Sequence, residues 1–249
     1  MKESKRKRQE LRRESMQAYL DGKPIGDSSL LKFAAMGEPR PVGIDECVSH
    51  LRGYAPIYER ETLSALPEGT FGRAYANFLN DNGIQHITYS PEMLERFRDD
   101  PYVMRVGMTH DIHHLLVGGD AGIAGETAVA AFQAAQGTLG TTGRAIWTVL
   151  RLALGYTKQR PGRSFRVWSN VWNGWRLGRK TPLLISHRLE DMFELPLEEV
   201  RLRVGLPRDP RTVGIRYTDE IDGKPVPIAV DAAMARPGGE KTNESGARQ

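Results

Sequence analysis

The sequence holds a single cysteine, Cys47, in 249 residues. One thiol excludes a disulfide framework and any multi-cysteine metal site, and it suits a reducing cytosol. Long apolar runs are also missing, since a helix that crosses a bilayer needs roughly 20 consecutive apolar residues. The amino-terminal stretch MKESKRKRQELRRES has no hydrophobic core, so it does not read as a secretory signal. Its acids Glu3, Glu10 and Glu14, and its lack of an apolar face, argue against a transit peptide. Acid is scarce elsewhere: from Arg144 to Lys180 there are nine Lys or Arg residues and no Asp or Glu.

The remaining composition is that of a folded chain with polar ends, 39% hydrophobic and 27% charged, with a net charge of +4. Residues 1–28 read as a charged, basic leader, helical over Lys5 to Leu20 and ending in the turn-rich GKPIGDSS. It is expected to be a solvated, partly disordered arm, although its cations would also suit anionic lipid or nucleic acid. Residues 236–249, RPGGEKTNESGARQ, carry no large apolar residue and read as a disordered tail.

Between these ends, residues 29–235 read as one mainly α domain. Ser90 and Pro91 are a helix cap and a first helical residue. Asp100-Pro101 ends that helix and starts another that runs to Val117. Gly118-Gly119 breaks the pattern, and Asp120 can cap the next helix, which carries Ala128 to Ala135. PLEEVRLRVGLP reads as a short amphipathic helix stopped by Gly205 and Pro207, and RTVGIRYTDEIDGKPVPIAV as a hairpin across Asp222-Gly223.

Three of the six histidines fall together, at 110, 113 and 114. Helical residues four apart share a face, so His110 and His114 can converge on one ion. Asp111 lies about 100° around from His110, where it can add an oxygen ligand or orient an imidazole. Imidazoles with carboxylates suit zinc or iron(II) better than magnesium or calcium. In one unbroken helix Glu126 would sit about 18 Å from His114, but a turn at Gly118-Gly119 folds the next helix back past the histidines, and Gly125 would allow close approach. His113 lies about 60° to the other side of His110, so spacing alone does not choose between His113 and His114.

His110-Asp111-x-x-His114, then eleven residues and Glu126, resembles the signature of the coenzyme Q biosynthesis protein four family. The spacer LLVGGDAGIAG is similar to that family's, as are LPEGTFGRAYANFLNDNG (Leu66 to Gly83) and WNGWRLGRKTPLLISHRLEDMFELPLEEVRLRVGLP (Trp172 to Pro207). The resemblance implies a helical fold with a helix-turn-helix metal site ligated by His110, Asp111, His114 and Glu126, with His113 a bystander. It implies one divalent ion, zinc in the usual description. Because zinc has no redox chemistry, iron(II) is the other candidate.

The implied activity is oxidative decarboxylation, with C1 hydroxylation, of a polyprenylated hydroxybenzoate-type precursor of ubiquinone. The rival role is a non-catalytic scaffold that binds quinone intermediates. Implied partners are the polyprenylated aromatic lipid, an anionic membrane surface, other ubiquinone-biosynthesis proteins and, as an option, a second copy of the chain. The implied location is cytoplasmic and peripheral on the inner membrane. This chain departs from mitochondrial members in its leader and in the Ala-rich AVAAFQAAQG that follows Glu126.

All four tryptophans, Trp147, Trp168, Trp172 and Trp175, lie in the acid-free segment. The last three share one helical stripe, which can pack into the core or lie at headgroup depth with its cations toward anionic lipid. Nucleic acid would use similar residues, yet no binding motif accompanies them.

Overall fold

Proline and glycine punctuate the chain, and the helices begin and end at them. The computed structural model describes residues 2–84, 87–221 and 224–225. Twelve α-helices follow one another among these residues. They are α1 (Lys2–Leu20), α2 (Ile25–Gly37), α3 (Ile44–Val48), α4 (Arg60–Ser64), α5 (Phe71–Asp81) and α6 (Pro91–Phe97). The rest are α7 (Pro101–Met108), α8 (His110–Val117), α9 (Ile123–Ala135), α10 (Thr142–Gln159), α11 (Ser164–Lys180) and α12 (Leu197–Arg203). The fold is therefore mainly α. No helix of the described residues is long and apolar enough to cross a membrane.

At Ser90-Pro91 and Asp100-Pro101 the helices start where the sequence implies. Ser90 and Asp100 each accept a hydrogen bond from the backbone three residues on, with proline at the first helical position. Gly118 ends α8 in the left-handed conformation that only glycine adopts without cost.

Two expectations need correction. The helix from Pro101 does not run unbroken to Val117. It breaks at Thr109, whose hydroxyl donates to the Arg105 carbonyl at 2.6 Å, a back-bond that bends helices. The leader is not a free arm over its helical part: α1 packs along α2, with Leu11 and Ala18 buried and Arg96 paired to Glu14. Residues 25–28, read as turn, already belong to α2. The two strands of the expected carboxy-terminal hairpin are present: among the described residues β1 (Glu220–Ile221) pairs antiparallel with β2 (Lys224–Pro225). Upstream of it, Pro210–Val213 form a 3₁₀ turn capped by Asp209. Asp222-Gly223 and the tail 236–249 lie outside the described residues.

The closest helix packing is α9 on α11. A Cβ on Gly174 or Gly178 would run into the backbone carbonyls of Ala128 and Phe132 respectively. The Ala-rich sequence after Glu126 is thereby explained: small residues on both helices let the backbones nearly touch. A second core, built on Phe71, Ile112, Phe132, Leu189 and Val200, joins α5, α8, α9 and α12. Arg201 of α12 reaches back to donate to the Leu115 and Leu116 carbonyls, so the unpaired end of α8 is satisfied.

Candidate metal centre

Helix α8 starts at His110 and presents His114 one turn later, while the left-handed Gly118 turns the chain so that α9 returns alongside. The carboxylate that makes this return rigid is Asp120. It is buried and accepts from the Gly122 and Gly125 amides at 3.3 and 3.1 Å, so it supports the start of α9 from two residues before the true cap, Gly122. It also accepts from the Thr218 amide and hydroxyl, at 2.6 and 2.9 Å. Gly125 is needed because Asp120 sits where its Cβ would be, not because another helix approaches.

The result is a compact donor set. One ligand atom from each of His110, His114 and Glu126 lies within 4.8 Å of the others. Glu126 Oε2 stands 3.1 Å from His114 Nε2 and 3.9 Å from His110 Nε2. The Asp120 backbone carbonyl accepts from His114 Nδ1 at 2.9 Å. That bond fixes the tautomer of His114 and leaves the Nε2 lone pair for a metal. Phe33 and Phe78 flank the His110 and His114 rings, at centroid distances of 5.0 and 6.0 Å. Two imidazoles and a carboxylate with this orientation fit a zinc or iron(II) ion.

His113 faces elsewhere. It is fully buried, accepting at Nδ1 from Gln133 Nε2 at 2.9 Å and donating from Nε2 to the Thr109 hydroxyl at 3.2 Å. Both nitrogens are used, and burial holds its pKa well below the usual histidine value, so it serves as a neutral core residue. Gln133 also approaches His110 Nδ1, but at 3.4 Å it holds that ring far less firmly than Asp120 holds His114. Asp111 lies outside the three-residue group. Its charge nevertheless favours the protonated forms of His110 and His114.

The electrostatics are those of a paired site. Burial disfavours the charged form of Glu126, but the His114 hydrogen bond and the nearby cations outweigh it and bring its pKa down to about 2. Burial likewise opposes a charged His114, and the Glu126 carboxylate overcomes it, so its pKa rises. His110 is lowered by burial.

Beside the donor set opens a cleft of about 440 Å³, with His110 and Glu126 in its wall. Four cations line it: Arg12 of α1, Lys32 of α2, and Arg144 and Arg151 of α10. Sequence reasoning named none of the four as site residues, since nothing in the pattern of α1, α2 or α10 points toward α9.

A family model described as coenzyme Q (ubiquinone) biosynthesis protein Coq4 matches residues 55–210, a span that contains the whole donor set. The chain belongs to the Coq4 family. It is similar to the ubiquinone biosynthesis protein COQ4 homolog of Danio rerio, 30% identical over 205 residues, covering 80% of this chain and 71% of the relative. The Bos taurus homolog is 31% identical over 158 residues, covering 61% of this chain and 56% of the relative. The chain thus spans little more than half the length of several curated relatives, all of which are named as mitochondrial. A crystal structure described as that of a ubiquinone biosynthesis protein from Nostoc punctiforme matches with a TM-score of 0.56 at 20% identity. The match covers 81% of this chain and 97% of that one, and it shows a shared fold. Arg12 and Lys32 precede the segment that the Coq4 model matches.

Proposed function

We propose that this Coq4 family protein acts in ubiquinone biosynthesis as a metal-dependent enzyme on a polyprenylated hydroxybenzoate-type precursor. The observation that carries the proposal is the donor set of His110, His114 and Glu126 opening on a cation-lined cleft. Arg12, Lys32, Arg144 and Arg151 suit a carboxylate, and Phe33, Met36, Leu139 and Leu152 in the same wall suit a prenyl chain.

The reaction we assign is replacement of the ring carboxylate at C1 by a hydroxyl. Carbon dioxide leaves, one atom of dioxygen enters the ring, and the other leaves as water with two electrons from a reductant. His110, His114 and Glu126 would hold the ion, with Asp111 as a further oxygen ligand or a charge that tunes the histidines. When bound, the ion would supply a Lewis acid for carboxylate or phenolate oxygens and, if it is iron(II) rather than zinc, oxygen chemistry as well. The chain's own residues orient: Asp120 fixes the tautomer of His114, the flanking rings of Phe33 and Phe78 limit water, and the cleft cations hold the carboxylate in place.

We also propose that the molecule rests on an anionic membrane surface through α10 and α11. Trp147, Phe165, Trp168 and Trp172 are exposed there, with Trp172 63% exposed, whereas Val167, Asn170 and Gly174 form the buried stripe of α11. Aromatic rings with lysine and arginine beside them suit headgroup depth. Since α10 also walls the cleft, a lipid could pass from that surface into it.

One observation favours the scaffold reading. Among the described residues Glu126 is the only acid that lines the cleft, and it belongs to the donor set, so no further carboxylate among them stands ready as a general base. Metal analysis of the wild type and His114→Ala, with the co-purifying lipids identified, tests the central proposal. About one ion per wild-type chain, lost in the variant, with turnover of a prenylated hydroxybenzoate, is expected. No metal in either protein would overturn the assignment, and retained metal without turnover would favour the scaffold.

A further inference from the structure

A second, smaller pocket lies outside the cleft, with a volume of about 160 Å³. That is close to the roughly 150 Å³ of an apolar cavity known to hold benzene, so it is the size of one aromatic ring. Its wall contains three tyrosines, Tyr58, Tyr75 and Tyr89, set among Ile57, Leu79 and Met108.

The tyrosine hydroxyls supply the polar part of the wall. Tyr75 is buried, and its hydroxyl meets that of Tyr58 at 3.5 Å, the outer limit of a hydrogen bond. Among the described residues Tyr89 makes no side-chain hydrogen bond, although burial raises its pKa and keeps the phenol neutral. Tyr89 is half-buried, so its hydroxyl can donate to a ligand that brings its own hydroxyl into the pocket.

Charge sorts the ligand further. Among the described residues no Lys or Arg lines this pocket, and Glu59 stands in its wall. The charge of Asp111 also reaches Tyr58 and Tyr89, whereas that of Glu190 is opposed there by its partner Arg105. An anion is repelled here, where the neighbouring cleft attracts one. The pocket is also near the donor set. Tyr75 and Phe78 are one turn apart on α5, Phe78 stacks on His114, and Met108 precedes His110 by two residues.

We propose that this pocket is a binding subsite for a single neutral, hydroxylated aromatic ring, a phenol or hydroquinone. Its hydroxyl is held by Tyr75 and Tyr89, and its face packs on Leu79 and Met108. That the natural ligand is the ring of the substrate or its decarboxylated product rests on the proposed function; the subsite itself does not. The pair of sites then separates carboxylated from neutral rings by charge.

The test is titration of the full chain with phenol, toluene and benzoate, followed by ligand-detected NMR. Phenol is expected to bind saturably and roughly 5- to 10-fold more tightly than toluene, the ratio that about one hydrogen bond supplies. Benzoate should not compete with it. Tyr89→Phe should lower phenol affinity to that of toluene. Ile57→Trp, a change at an exposed rim residue that leaves the core intact, should block binding. His114→Ala should bind phenol normally, so loss of its metal reports on the proposed function while phenol reports on the subsite. No phenol binding, equal affinity for phenol and toluene, or binding unchanged in Ile57→Trp would overturn the proposal.

Discussion

Asp120 supports the donor set without belonging to it, and removing its carboxylate separates these roles. Asp120→Ala leaves four buried donors without an acceptor: the amides of Gly122, Gly125 and Thr218, and the Thr218 hydroxyl. Each orphaned buried donor costs ~1–3 kcal/mol, and water admitted to the loop recovers part of the sum. We therefore expect a net loss of about 4 kcal/mol, read as a fall in the urea midpoint. For a domain of this size that corresponds to roughly 8–16 °C in Tm. The second effect is on the metal. The Asp120 main-chain carbonyl holds His114 Nδ1, so a loosened loop frees the imidazole. Loss of such an outer partner costs ~10–100-fold in metal affinity. Competition with a chelator of known affinity, at a temperature where the variant is folded, measures this. Unchanged zinc affinity in a folded Asp120→Ala protein would refute the link between the loop and the orientation of His114.

Other outcomes follow from the same structure. Gly174→Ala should cost ~1–3 kcal/mol by urea denaturation, because its new Cβ meets the Ala128 carbonyl and cannot be relieved by a rotamer change; a neutral result would show that α11 can shift freely on α9. Zinc affinity should fall about tenfold per pH unit once the pH drops below the raised pKa of His114, which lies above the ordinary 6.5, because one proton must leave for the ion to bind. Glu126, with its pKa near 2, and His110, lowered by burial, stay deprotonated from that point down to the lowered pKa of His110, so a slope of two protons in that range would contradict the pairing. In the metal-free protein the sign is consistent: the His114–Glu126 pair adds stability that is full below the unfolded histidine pKa and is lost as pH rises through the raised one. Trp168→Ala with Trp172→Ala should weaken sedimentation with phosphatidylserine vesicles several-fold while leaving Tm within a few degrees, since both side chains are exposed; equal sedimentation would place the membrane face elsewhere.

The helix boundaries and the donor set were legible in the sequence for local reasons. Ser90-Pro91, Asp100-Pro101 and Gly118 act on their own backbone, and the spacing of His110, His114 and Glu126 needs only a helix and a turn. What escaped depends on distant partners. The contact of α1 with α2 rests on Leu11, Ala18 and pairs such as Lys7 with Glu38, too few apolar positions to mark a buried face. The break at Thr109 comes from a hydroxyl that also serves His113, a contact no periodicity encodes. The choice of His114 over His113 is open on spacing; in space Gln133 reaches His113 from α9, while His114 stands beside Glu126. Asp111 sits beside the donor set, as its neighbour His110 required, yet does not join it.

The bare contact of α9 with α11 has a mechanical consequence. Glu126 begins one of these helices and the exposed tryptophans stud the other, and at Gly174 and Gly178 no side chain separates the two backbones to absorb a displacement. A force on the aromatic face is therefore passed to the carboxylate edge as a rigid translation. The height of the donor set above whatever α11 rests on is set by carbonyl-to-glycine contact, like the fixed gap of a gauge.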